Sequence, residues 1–201
     1  LLLQKYNTKT VDLLVQNRYN KHIDTKEPMM ATKIENLNLE IAHFNHFKSL
    51  VPGFDTVCND TVEKLARLGG LQISTLFEQA LAAVGGHELV SLDRGDLYRD
   101  GAYSDAKLST VRTSGYGKVY SAPVTNIFNK TGTLRVQVYE RKQNKFYYLA
   151  IPRRAYIEVP KTSNIEIPFE LDGTPRRVPK RKVFVNWWRY EVSSWSEMAI
   201  K

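Results

Sequence analysis

A chain of 201 residues, 42% hydrophobic and 25% charged, suffices for one large domain, alone or with a helical attachment, and excludes general disorder. Its net charge of +8 points to polyanions: DNA, RNA or an anionic membrane surface. No apolar run approaches the roughly 18 residues of a membrane span, and Leu1-Leu2-Leu3 runs straight into polar sequence, unlike the core of a secretory signal. The single cysteine, Cys58, cannot form an intrachain disulfide, so a reducing, cytoplasmic setting without membrane association is expected.

The chain opens on Leu, while Met29-Met30 follows Pro28, so residues 1–28 read as an extension to which no function is attached. Val11, Leu14 and Val15 make one short helical stripe. A longer one runs through Ile34, Leu37, Leu39, Ile41 and Phe44 and stops at Pro52-Gly53. Asp60-Thr-Val-Glu63 and Thr75-Leu-Phe-Glu78 both have capping-box form, and their helices are punctuated by Gly69-Gly70 and Gly85-Gly86. Beyond Gly86 the period shortens toward that of strands. Segments 88–92 and 103–112 are strand candidates, and 134–140 and 146–151 form a hairpin across the polar turn 142–145. From Pro152 onward, loops and short strands are expected to lie over the sheet. Helices first and strands after predict an α+β fold, with a helical region at 1–69 and a core at 70–201 that carries a basic C-terminal segment.

The charge is uneven. Residues 141–201 hold 13 Lys and Arg against six Asp and Glu, +7 of the total +8. Arg153, Arg154, Arg176, Arg177, Lys180, Arg181 and Lys182 are therefore the candidate nucleic-acid-binding residues. Trp187, Trp188 and Tyr190 lie close by in sequence as candidate stacking partners. The competing reading is a solvated basic face above a Trp-rich piece of core.

Candidate chemistry lies between Glu78 and Lys107. Hydrolysing a phosphodiester calls for a hard divalent cation, which prefers carboxylate oxygens. Glu78 on a helix, Asp96 in Arg94-Gly95-Asp96-Leu97, and Asp105 opening a strand could supply them. Lys107 follows Asp105 by two residues and so projects from the same strand face, where it could orient or help deprotonate a water, or stabilise developing charge. Each residue also has a structural reading. Glu78 completes a capping box, Asp96 turns the chain, and Asp105 with Lys107 is an ordinary exposed edge-strand pair.

In this order, Thr75-Leu-Phe-Glu78-Gln-Ala-Leu-Ala, Gly95-Asp96 and Asp105-Ala106-Lys107-Leu-Ser-Thr, the chain resembles the PD-(D/E)XK nuclease superfamily over roughly residues 70–151. The resemblance implies a mixed sheet of restriction-endonuclease-like type, with the 134–151 hairpin as its later strands. It implies a metal-dependent endonuclease acting on DNA (RNA is the other substrate left open), with Mg²⁺ or alternatively Mn²⁺ held by Glu78, Asp96 and Asp105, Lys107 as the catalytic lysine, and a homodimer as partner state. No proline precedes Asp96, which leaves Asp93 and Asp100 as alternative first acids. A second register takes Asp105 as the first acid and Glu140-Arg141-Lys142 as the tripeptide, at an exposed strand end.

Other chemistries are poorly served. His43 and His46, spaced i, i+3, lack a third ligand at zinc spacing. Gly115-Tyr-Gly117-Lys118 is too short for a phosphate loop, and there is no Gly-x-Ser-x-Gly elbow. Two readings from other classes stand beside the nuclease: a non-catalytic basic nucleic-acid-binding module, and a structural or interaction protein.

Overall fold

The computed structural model describes residues 27–54, 73–92, 94–113, 120–127, 129–156, 164–174, 176 and 186–201. Among these the fold is α+β: a mixed six-stranded sheet, a smaller three-stranded sheet and three α-helices. The expected stripe around Val11 and the helix at 60–69 fall outside the described residues.

Helix α1 (Glu27–Leu50) delivers Phe44 and Phe47 to the core, and α2 (Ile73–Gly85) delivers Leu76, Phe77, Ala80 and Leu81. Both share one apolar cluster with Trp195 and Met198 of α3 (Trp195–Ile200), so the described part of the region before residue 69 packs directly onto the rest. Gly86 ends α2 in the left-handed conformation at φ +65°, and the His87 N–H reaches back to the Ala82 carbonyl at 2.9 Å. That is the glycine stop the sequence signalled. The start differs: the helix is already under way at Ile73, so Thr75 lies inside it rather than at its cap. The capping-box explanation of Glu78 therefore falls.

Strands β1 (Glu88–Leu92), β2 (Gly95–Arg99) and β3 (Ala102–Thr110) form an antiparallel meander. The β2–β3 turn at Asp100-Gly101 has both φ angles positive, at 51° and 81°, as tight two-residue hairpins favour. The chain then leaves through β4 (Arg112–Thr113) and β5 (Tyr120–Val124) and returns as β6 (Thr133–Glu140), parallel to β3 with Asp105 opposite Leu134. Strand β7 (Lys145–Ile151) closes the expected hairpin. The order across the large sheet is β1-β2-β3-β6-β7-β9, β9 being Glu191–Val192. Strand β8 (Ile165–Phe169) pairs with β5 in the small sheet, order β4-β5-β8.

Side-chain alternation separates the two cores. Leu134, Val136 and Val138 of β6 pack with Ile165, Ile167, Phe169 and Trp187 on the small-sheet face. Arg135 and Gln137 point instead to the helices, where the Arg135 guanidinium donates to the Met198 carbonyl at 2.9 Å. On β3, Ala106 belongs to the helix-side core, so Asp105, Lys107 and Ser109 face the other way. Ser109 accordingly donates to the Pro123 carbonyl of β5 at 2.6 Å. Trp187 is fully buried and its indole N–H donates to the Pro168 carbonyl at 2.8 Å. It is core rather than a base-stacking surface, and Trp188 and Tyr190 pack against the same cluster. Among the described residues no helix is long and apolar enough to cross a membrane.

Candidate active site

Four sequence-selected residues, Glu78, Asp96, Asp105 and Lys107, share one electrostatic neighbourhood with a fifth that was not selected, Lys130. The β2–β3 register pairs Leu97 with Ser104, so one residue further along it sets Asp96 across from Asp105 on the same face. Asp105 is 1% exposed, and the Lys107 ammonium lies 2.7 Å from its Oδ2, as the i, i+2 spacing anticipates. Lys130 enters from the loop before β6. Its Nζ stands 2.5 Å from Asp105 Oδ1 and 3.6 Å from Asp96 Oδ1.

These charges register on one another. Burial, reinforced by the neighbouring Asp96 and Asp105 charges, pushes the Glu78 carboxyl up to about 7, while Lys107 and Lys130 pull it the other way. Asp96 is pushed up to about 6, first by burial and then by Asp105 beside it. Burial lowers Lys130, but Asp105 and Asp96 more than offset it, so the ammonium is held above its ordinary range. When fully ionised, three acids against two lysines leave one excess negative charge in a half-dry place, and carboxylate oxygens are the hard donors that a divalent cation prefers. Among the described residues no group of three or more His, Cys, Asp or Glu is placed to hold a metal ion, and both Asp105 oxygens lie against ammonium groups.

The raised acid has a consequence for stability. A Glu78 that titrates near 7 when folded and near 4.5 when unfolded binds its proton more tightly in the folded state. Stability is then lost as pH rises from about 4.5 through 7. Glu78→Gln in EDTA should therefore be more stable than the parent at pH 8 by about 1 kcal/mol, after discounting for partial solvent access, with the gap closing toward pH 4.5. Urea titrations at several pH values read this directly, and a gap that does not change with pH contradicts it.

Other candidates are placed elsewhere. Asp100 sits at the hairpin tip, its side chain 89% exposed and 3.5 Å from Arg99, which removes it as an alternative first acid; Asp93 lies outside the described residues. The second register is overturned. Glu140 is not exposed but fully buried, accepting hydrogen bonds from the Tyr120 hydroxyl and from the Lys142 and Gln143 N–H groups at 3.1 and 2.7 Å. It clamps the β6–β7 turn to the small sheet. It is also six residues along β6 from the partner of Asp105, about 20 Å away. His43 and His46 are structural too. Burial lowers His43 to about 4, so the ring is neutral. Its Nδ1 accepts from Gln137 at 2.9 Å, and its Nε2–H faces Thr110 at 3.1 Å. His46 stacks on Phe146 with ring centroids 3.6 Å apart and meets the Tyr148 hydroxyl at 2.5 Å.

Of the basic residues, Arg154 is exposed, Arg153 covers the Tyr156 ring at 4.8 Å, and Arg176 is half-buried with Glu170 at 3.7 Å. Arg177, Lys180, Arg181 and Lys182 lie outside the described residues. Tyr156, whose hydroxyl donates to the Gly132 carbonyl, feels the Asp105 charge, which brings the Arg153 turn to the border of the site. Sequence reasoning had no handle on Lys130: no spacing relates it to Asp105, and only the β3–β6 crossover brings it in. The one local hint was Gly132, where a Cβ would stand 1.5 Å from the Tyr103 carbonyl oxygen, so the loop must press against β3 there.

No family model, curated protein or solved structure matches the chain.

Proposed function

We propose that the protein is a metal-dependent endonuclease that hydrolyses phosphodiester bonds in DNA, with a core sheet of restriction-endonuclease-like type. The observation that carries this reading is the meeting of Asp96, buried Asp105 and Lys107 on one face of β2 and β3, with Glu78 of α2 within reach of their charges. A helix acid, a meander bearing the second acid and the Asp-x-Lys strand, then a later hairpin in the same sheet, is the order the superfamily resemblance implies. Glu78, Asp96 and Asp105 would hold Mg²⁺ or Mn²⁺, which when bound neutralises phosphate charge and acidifies a coordinated water.

The remaining steps belong to the chain. Lys107, held by Asp105, keeps N–H groups free to aim a water at phosphorus and to stabilise the charge on the pentacovalent phosphate. The water oxygen bonds to phosphorus, the bond to one ester oxygen breaks, and that oxygen leaves with a proton. Arg153 and Arg154 beside the site, with the basic residues that follow, would hold the backbone phosphates. A homodimer would let two such sites address both strands. A lone cysteine accords with a reducing, cytoplasmic compartment.

The test is plasmid cleavage. Nicked and linear products are expected with Mg²⁺ or Mn²⁺, and none in EDTA. Cleavage that persists in EDTA would exclude the cation. No cleavage beside salt-sensitive DNA binding would instead favour the non-catalytic module.

A further inference from the structure

The two lysines at Asp105 are not equivalent. Lys107 meets Oδ2 at 2.7 Å, along the strand that carries them both. Lys130 comes from another part of the chain and bridges two acids, 2.5 Å from Asp105 Oδ1 and 3.6 Å from Asp96 Oδ1. Its side chain is 12% exposed, so little water competes for the ammonium. The loop that carries it is fixed at three places. The Lys130 N–H donates to the Ile127 carbonyl at 3.1 Å and the Thr131 N–H to the Arg94 carbonyl at 3.2 Å. At Gly132 the chain is pressed on Tyr103 and receives the Tyr156 hydroxyl.

The base of Lys130 is therefore anchored while its four-carbon stem can still turn. Its charge lies where a cation shared by Asp96 and Asp105 would lie, and both cannot occupy that place.

We infer that Lys130 is a resident counter-cation of the site, a positioning residue that bridges Asp96 and Asp105 in the metal-free protein and that a divalent cation must displace in order to bind. The inference rests on the metal-dependent reading above. It adds that this chain weakens its own cation affinity by supplying a competing charge, and so sets the concentration at which the site fills. The exchange is one of ion-pair partners, with no covalent change. The cation takes the two carboxylates, and the tethered ammonium stays within a side chain's length, free to pair with an incoming anion.

Mn²⁺ binding to the full chain, measured by calorimetry without nucleic acid, separates this from a plain structural ion pair. Lys130→Gln should bind Mn²⁺ roughly tenfold more tightly than the parent, since one competing unit charge has been removed from the acid pair. Lys130→Arg, which keeps the charge, should stay within about threefold of the parent. Thermal unfolding of each variant shows that the folded protein is being titrated, and the Arg variant keeps the comparison available if the Gln variant is unstable. In that case, an Arg variant that still resists Mn²⁺ no less than the parent supports the inference, and one that binds tenfold more tightly overturns it. Equal or weaker Mn²⁺ binding by a folded Lys130→Gln overturns the inference alone. Absence of Mn²⁺ binding by parent and variants alike overturns the metal-dependent reading and the inference with it.

Discussion

Asn in place of Asp105 is expected to lower Mg²⁺-dependent cleavage by on the order of a thousandfold. The effect is large because three functions meet at this carboxylate. It faces Asp96, holds Lys107 through Oδ2 and holds Lys130 through Oδ1. The same change takes the carboxylate charge from two poorly solvated ammonium groups and leaves Lys130 only Asp96 at 3.6 Å, so stability should also fall, by about 2–4 kcal/mol. The two losses separate by assaying well below the unfolding midpoint, where circular dichroism shows the variant folded. Near-parental cleavage by that folded variant would remove Asp105 from the chemistry and leave it as the hub of an ion-pair cluster.

Lys107→Ala should cost on the order of a hundredfold, and in a different parameter. Its ammonium contacts Asp105 but is not a candidate cation ligand, so Mn²⁺ binding should not weaken. The loss should appear in kcat, with little change in KM for duplex substrate. Single-turnover cleavage at saturating Mn²⁺ measures it. A variant whose rate recovers fully with more Mn²⁺ would show that Lys107 only shapes the cation site.

What could be read in advance was what is local in the chain. The Gly86 stop of α2, the 134–151 hairpin and the shared face of Asp105 and Lys107 each follow from residues within a turn or two of one another. Misreadings arose where tertiary contacts decide. Thr75 looked like a cap, yet the helix already runs at Ile73. Glu140 looked exposed because it ends a strand, but Tyr120 from the other sheet buries and satisfies it. Trp187 sits in a basic, aromatic stretch that suits base stacking, and its whole side chain is instead consumed between the sheets. Lys130 was invisible for the same reason: its partners come from across a parallel pairing, which leaves no periodic trace in a sequence.

The two-residue turn at Asp100-Gly101 gives the site a temporal asymmetry. Closing a short hairpin costs little chain entropy and takes microseconds, so the strands bearing Asp96 and Asp105 can meet early. Lys130 arrives only when the crossover through β4 and β5 has closed and β6 has docked on β3, a non-local event of the kind that slows folding. Asp96 and Asp105 are thus expected to meet with Lys107 alone opposing their charge, and the second ammonium, Lys130, joins them only on completion of the topology.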